Sequence, residues 1–220
     1  MVIDESLDKI LFYQNYIAVQ SKYFDFYSKY TLSESSIEYL VEEDVPSIHT
    51  LLTLPSGKNI RMHFLHPAPP SPTNNEESSE RDAELIMVAK SVAESTLPVV
   101  VTGDLNDVAW SATTRLFRKI SKLLDPRVGR GMFNTYHADH WFMRWPLDHL
   151  FHSQDFVLMS IKRLPSIGSD HFPLLTKLLF VPQQGEDQEG LQADAEDKEW
   201  SEEIAKEQNV SKNDVPEPGE

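Results

Sequence analysis

The sequence predicts a layered α/β domain followed by an acidic tail. Three observations carry that prediction. Val99-Val100-Val101-Thr102 is a β-branched run that reads as a buried strand. It lies between two segments, 81–95 and 111–124, whose apolar residues recur at helical spacing. Hairpin and short strand patterns come before and after, and strands alternating with helices among hairpins stack as layers around one core. At 220 residues the chain has material for one such domain and a tail.

Taken in order, residues 7–17 are apolar and aromatic, without a period that decides between helix and strand. Residues 23–27 and 36–41 read as short strands, and 49–54 with 59–65 read as a hairpin closed by Pro55-Ser56-Gly57-Lys58. His66-Pro67-Ala68-Pro69-Pro70-Ser71-Pro72 and the polar residues after it form a surface loop. In 81–95, Leu85, Val88, Ala89 and Val92 share one helical face, and Asp82 and Glu84 suit the positive end of the helix dipole. In 111–124, Ser111 is the candidate N-cap, with Leu116, Ile120 and Leu123 or Leu124 inward. Residues 125–145 are irregular and aromatic, and strands follow near 147–151, 156–161 and 174–180.

Composition divides the chain at about residue 180. Residues 181–220 hold 13 acidic and 3 basic side chains, so they carry −10 of the net −15. With few apolar residues to offset the entropy of ordering, they are expected to form a disordered tail after a domain of residues 1–180. A turn around Trp200 and Ile204, four residues apart, is the one docking candidate within that tail. The absence of cysteine excludes disulfides, thiolate metal sites and thiol nucleophiles. No window is apolar enough to span a bilayer, and residues 1–5 lack an export pattern, so the cytoplasm is the default expectation. The acidic balance argues against a face for non-specific duplex binding, although most of the charge sits in the tail.

The chemistry concentrates where apolar runs end. Gly103-Asp104-Leu105-Asn106, Pro146-Leu147-Asp148-His149 and Gly168-Ser169-Asp170-His171 each place carboxylate, amide or imidazole groups beside a strand, and all three can converge at one sheet end. Hydrolysis of a phosphate ester needs a hard cation, oxygen ligands to hold it, and groups that position or deprotonate water. Asp104, Asn106, Asp148 and Asp170 offer oxygen ligands, while His66 and His171 titrate near neutrality. Asp148 is placed to fix the tautomer of His171. Singly, each motif has a plainer reading as a turn or a cap. Joint occurrence is what favours chemistry.

The order of these motifs resembles the endonuclease/exonuclease/phosphatase superfamily, the DNase I-like fold. The resemblance lies in His66 and proline after a strand, Gly-Asp-x-Asn after a valine-rich strand, Asp-His on a strand, and Gly-Ser-Asp-His-x-Pro near the end, over roughly residues 45–180. Arg81-Asp82, Asn106-Asp107-Val108-Ala109-Trp110-Ser111 and Arg127-Val128-Gly129-Arg130-Gly131 look like a bacterial branch that often carries membrane helices ahead of the hydrolase domain. What the resemblance implies is a four-layer α/β/β/α sandwich of two mostly antiparallel sheets flanked by helices, with the site where strand ends meet. It implies that His66 contacts or protonates the phosphate region, that Asp104 and Asn106 orient water and phosphate, that Asp148 holds His171, and that His171 acts as base or phosphate contact. Asp170, with Asp104 and Asn106, would serve a Mg²⁺ or Mn²⁺ ion.

The departure from the pattern matters as well. Family members begin with a strand ending in asparagine and a further strand ending in a metal-binding glutamate. Neither is visible here, and Glu5, after Val2-Ile3, is the candidate remnant of the glutamate motif. Two explanations are open: a truncated member, whose exposed sheet edge would favour self-association, or a divergent homologue that binds without turnover. An extracytoplasmic location is expected if the chain is a fragment of a membrane-anchored parent.

Three functions follow. The leading one is a divalent-metal-dependent phosphoesterase acting on nucleic acid, a phospholipid head group or a small phosphate ester. The second is a truncated or non-catalytic homologue serving as a binding module, and the third a calcium-binding domain using Asp104, Asn106 and Asp107. Arg115, Arg118, Lys119 and Lys122 lie along the second helix, most simply as a solvated face. Trp141, Phe142, Met143, Arg144 and Trp145 form an aromatic-basic stretch that either packs locally or meets substrate.

Overall fold

The computed structural model describes residues 17–20, 25–69, 78–182 and 189–219. Glu5 and most of residues 7–17 lie outside the described residues. In chain order the elements are β1 (Ile17–Gln20), β2 (Asp25–Ser28), β3 (Thr31–Glu38), β4 (Ser47–Thr53), β5 (Asn59–Phe64), α1 (Ser79–Val92), β6 (Val99–Asp104), α2 (Ala112–Ser121), β7 (Asp148–His152), β8 (Phe156–Arg163), β9 (Leu174–Phe180) and α3 (Ala195–Glu207). Ser111 caps α2 as its position suggests, its hydroxyl accepting from the Thr114 amide at 2.9 Å.

The main sheet runs β3-β4-β5-β6-β7, and β5 and β6 are its parallel pair. The connection between them, which includes α1, supplies the crossover that a parallel pair requires. β8 and β9 pair antiparallel, as do β1 and β2. Strand alternation then sorts side chains to two faces. Val100, Leu150, Ile60 and Leu52 meet Phe156, Leu178 and Phe180 of the β8–β9 hairpin, together with Phe26 of β2, which gives the sheet-on-sheet core. Val99, Val101 and Phe151 point the other way, against Leu85, Val88, Val92 and Phe117 of α1 and α2. α1 is apolar nearly all round because it has neighbours on both sides: the sheet below it, and α2 and α3 beyond, where Ala83, Ile86, Leu116 and Ile204 cluster. The described residues therefore form a mixed α/β fold, with helices on one face of the main sheet and the small sheets on the other. An outer helical layer over the small sheets is not among them.

The tail departs from the expectation of disorder. Residues 195–207 form α3, opened by a capping box in which Asp194 and Asp197 exchange side-chain and backbone bonds. The few apolar residues of the tail fall where they are needed. Ile204 is buried between α1 and α2, and Val215 enters the main core. The acidic charge is partly matched: Lys119 Nζ lies 2.7 Å from Asp197, and Lys90 Nζ 2.8 Å from Glu202. Composition alone overlooked this pairing, because the basic partners lie about 80–110 residues earlier on α1 and α2, as loop closure between distant segments allows.

The same tail closes a buried polar chain. Ser47 Oγ is 2.8 Å from His49 Nε2, the Nδ1 atoms of His49 and His63 are 2.6 Å apart, and Arg61 Nε donates to His63 Nε2 at 2.8 Å. Arg61 also donates to Ser91 of α1 at 2.5 Å and to the Pro216 carbonyl at 3.1 Å. Burial, and then the charge of Arg61, push His49 down to about 3, so this imidazole stays neutral inside the protein.

Candidate active site

Register places the first two acids side by side. In the antiparallel pairing of β6 and β7, Asp104 is the direct partner of Asp148 and Gly103 of His149. Asp104 and Asp148 therefore share a face, and His149 turns to the opposite, helix side. Gly103 lets the end of β6 approach the chain after β5. Its φ is +151°, and a Cβ there would stand 1.9 Å from the Leu65 carbonyl oxygen. Gly103→Ala should cost about 1–3 kcal/mol from backbone strain alone and more from the clash. Urea denaturation of the variant measures the loss, and an unchanged midpoint would contradict the close approach.

The irregular segment delivers the histidine. The Phe172 amide donates to Thr135 O at 2.8 Å, and Ala138 donates to Asp170 O at 2.6 Å. Residues 135–138 thus hold the 170–172 segment that precedes β9. His171 Nδ1 lies 2.7 Å from Asp148 Oδ2, and its Nε2 faces Asp104 Oδ2 at 3.4 Å. His66 Nε2 is 4.0 Å from the same oxygen. Asp104 Oδ1 accepts from the Asn106 amide at 3.0 Å, in a turn where Asn106 takes φ +49°. Asn106 Nδ2 donates to Pro67 O at 2.9 Å, tying this turn to the proline loop.

Asp104, Asp148, His171 and His66 are thus brought into one line, with Asn106 bracing it. Asp170 is placed differently. Its side chain is exposed, and Ser169 Oγ approaches it at 3.4 Å. The hydrogen bond to Asp148 holds the His171 imidazolium above its ordinary range despite burial, with Asp148, Asp104 and Asp170 adding charge to the same effect. Burial and the neighbouring Asp148 push Asp104 up, against the pull of the Asn106 amide and the two imidazoles.

The donor set falls short of a divalent-ion cage. Among the described residues, no three His, Asp or Glu side chains are grouped to hold a metal. One oxygen of Asp104 is engaged by a backbone amide and one of Asp148 by His171. These residues alone do not make the oxygen-rich surroundings a hard cation needs. The calcium reading fares no better. Asp107 is buried, with Oδ2 accepting from Ser111 and Thr114 and Oδ1 from the Val108 amide, so it serves the start of α2.

Behind the line stands a brace that sequence reasoning missed. Arg127 donates to Asp125 through Nε and NH2 at 2.9–3.2 Å, and through NH2 to His149 Nδ1 at 2.7 Å. His149 Nε2 then donates to Asp107 O at 2.8 Å. Burial and Arg127 push His149 down to about 4, which keeps it neutral and fixes this tautomer. From α1, Arg81 NH1 donates to Asn106 O at 2.8 Å. The sequence signal was present, since Arg81-Asp82 and Arg127-Val128-Gly129 stood out as motifs without a role.

Residues 26–171 match the model of the endonuclease/exonuclease/phosphatase family, which is well over half of the chain. The chain belongs to this family. Solved structures share its fold at low identity. The catalytic domain of human Nocturnin is 15% identical with a TM-score of 0.55, the match covering 71% of this chain and 63% of that domain. A humanized TDP2 of D. rerio is 16% identical with a TM-score of 0.61, covering 76% and 78%. A mannosyl-6-phosphatase of Bacteroides thetaiotaomicron is 18% identical with a TM-score of 0.51, covering 71% and 70%. This family member thus spans less than two thirds of the Nocturnin domain. No curated protein matches its sequence. Among the described residues, no helix is long and apolar enough to cross a membrane.

Proposed function

We propose that the chain is a phosphoesterase that hydrolyses a phosphate mono- or diester by in-line attack of water on phosphorus, in a reaction requiring Mg²⁺ or Mn²⁺. The observation that supports it is the line Asp148–His171–Asp104. With Nδ1–H committed to Asp148 at 2.7 Å, the neutral tautomer presents an unprotonated Nε2 toward Asp104 Oδ2. Two acceptors face one another there at 3.4 Å. The two atoms are too close to hold a water between them, but a water beside this edge can donate to Nε2, and His171 is the base that takes its proton as it attacks. Asp148 then stabilises the imidazolium. His66, with Nε2 4.0 Å from the same Asp104 oxygen, is the candidate contact for the phosphate oxygens.

Hydrolysis of bis-(p-nitrophenyl) phosphate and of a plasmid, with EDTA, Mg²⁺ and Mn²⁺ in parallel, tests this reading. Turnover that EDTA abolishes and either ion restores supports it. A folded chain that turns over neither substrate with any ion favours the second reading, a homologue that binds without hydrolysis. That reading has one observation of its own, the lack of a metal-holding group among the described residues.

The pH profile gives a sharper check. A base must be neutral to act, and the Asp148 contact raises the pKa of His171. The acid limb of kcat should therefore have its midpoint above the ordinary imidazole value of about 6.5. In Asp148→Asn, the midpoint should move down toward that value while the maximal rate also falls. A wild-type limb at or below the ordinary value would remove His171 from the role of base.

A further inference from the structure

One hydrogen bond does not fix an imidazole. The χ2 torsion of histidine is broad, so the contact of Nδ1 with Asp148 at 2.7 Å anchors one atom and leaves the plane of the ring open. Backbone pairing supplies a group that can hold that plane. Tyr136 is the cross-strand partner of His171 in one isolated antiparallel bridge and of Trp145 in another. Direct partners in an antiparallel pair project to the same face, within reach of one another. The Tyr136 ring accordingly lies 4.9 Å from that of His171, with the planes inclined by 47°, and 6.3 Å from that of Trp145, at 29°. Tyr136 is itself well held. Its amide donates to Trp145 O at 3.0 Å, Trp145 N–H donates back to Tyr136 O, and the His137 ring is 4.8 Å away. Its neighbour Thr135 is fully buried, accepts from the Phe172 amide through its carbonyl at 2.8 Å, and accepts from the Asp148 amide through its hydroxyl at 3.4 Å. Two consecutive residues therefore touch both members of the Asp148–His171 pair.

We propose that Tyr136 is a positioning residue for hydrolysis, its ring fixing the plane of the His171 imidazole so that Nε2 keeps facing Asp104. The inference rests on the phosphoesterase reading above and adds a residue to it. The role belongs to the ring and not to the phenol hydroxyl, since the contact with His171 is ring to ring. A tilted aromatic pair at this separation is attractive, and it restrains the one motion that the Asp148 contact leaves open. The rate should feel a modest rotation, because a misplacement of about 1 Å can cost about 10²-fold. Stability should feel little, because Tyr136 is only partly buried.

Two measurements on the full chain test this. The first follows hydrolysis of bis-(p-nitrophenyl) phosphate with the metal present. Tyr136→Leu keeps apolar bulk and removes the ring, and Tyr136→Met, whose flexible chain fills the same space, is a second ring-less variant in case the first does not fold. Either should lower kcat by about 10–10²-fold with KM within about twofold of wild type. Tyr136→Phe restores the ring and should recover kcat to within about twofold of wild type. In a His171→Ala background, Tyr136→Leu should have no further effect, since Tyr136 acts only through that imidazole. A group that met substrate directly would raise KM and cost as much in either background, and that result overturns the proposal. A Tyr136→Phe variant as slow as Tyr136→Leu overturns it too, by giving the role to the hydroxyl. The second measurement needs no turnover. At alkaline pH, where the imidazole is neutral, the nitrogen NMR shifts of His171 report which ring atom carries the proton. Wild type should show the Nδ1–H tautomer that the Asp148 contact selects, and Tyr136→Leu a mixture, as the loosened ring leaves that contact. An unmixed tautomer in Tyr136→Leu refutes the hold on the ring, whatever the rate. A wild type that hydrolyses nothing, beside a Tyr136→Leu variant whose tautomers mix, refutes the phosphoesterase reading and leaves the hold on His171 standing.

Discussion

Replacing His171 by alanine is expected to lower phosphoester hydrolysis by about 10²–10⁴-fold, the range for loss of a positioned general base, without unfolding the chain. Two features of the site justify both halves of that expectation. The imidazole has hydrogen-bond contact with Asp148 at 2.7 Å and faces Asp104 at 3.4 Å, so its loss removes the one group that links the two carboxylates. Its side chain is also 23% exposed, so the gap left behind is open to water. The residual rate separates two roles. A base should leave a variant whose rate is partly restored by added imidazole and whose KM changes little, whereas a phosphate contact should raise KM. A variant with wild-type turnover at every pH would remove His171 from the reaction altogether.

Much of the fold was legible because local pattern and tertiary structure agree in its centre. The Val99-Val100-Val101 run could hardly be anything but a buried strand, and the hairpin around Gly57 and the Ser111 cap declared themselves by turn and cap chemistry. The tail was misread for a physical reason. Its order depends on single contacts distant in sequence, such as Ile204 between two earlier helices and Lys119 on Asp197, and a composition count sees none of them.

The arrangement of the candidate residues was legible in part. Residues at strand ends announce themselves by sitting where apolar runs stop, and the pairing of Asp148 with His171 could be anticipated from what each group does for the other. What pattern could not show is which carboxylates point inward together. Asp170 and Asp148 occur in similar Asp-His contexts, yet sheet register sets Asp148 against Asp104 while Asp170 is exposed. The bracing arginines escaped for another reason. Beyond their near neighbours Asp125 and Asp82, they brace the site through backbone carbonyls and a histidine facing the opposite side of the sheet, and no sequence spacing encodes those contacts.

Arg127→Met should cost about 3–5 kcal/mol of stability at neutral pH, as removal of one member of a buried ion pair does. Arg127 and Asp125 are 5% and 4% exposed. Burial alone would push Asp125 up, but the hydrogen bonds and charge of Arg127 prevail and hold it below the usual carboxylate range. A depressed carboxylate stabilises the fold above its unfolded pKa and loses that contribution as pH falls through the folded value. Without Arg127 the sign reverses: burial raises Asp125, and the variant should lose stability as pH rises through that raised value. The gap between wild type and variant, read from urea denaturation, should therefore be smaller near pH 4 than at pH 7. Asp125→Asn/Arg127→Met should recover part of the loss, since no uncompensated charge is then buried. Activity provides an independent reading. Arg127 NH1 donates to Asp148 O at 3.3 Å, and NH2 fixes His149 against the Asp104 turn, so the double variant should stay slow after its stability is restored. A gap that is the same at every pH would mean that Asp125 is not the charge Arg127 compensates, and a fully active double variant would reduce the brace to a packing feature.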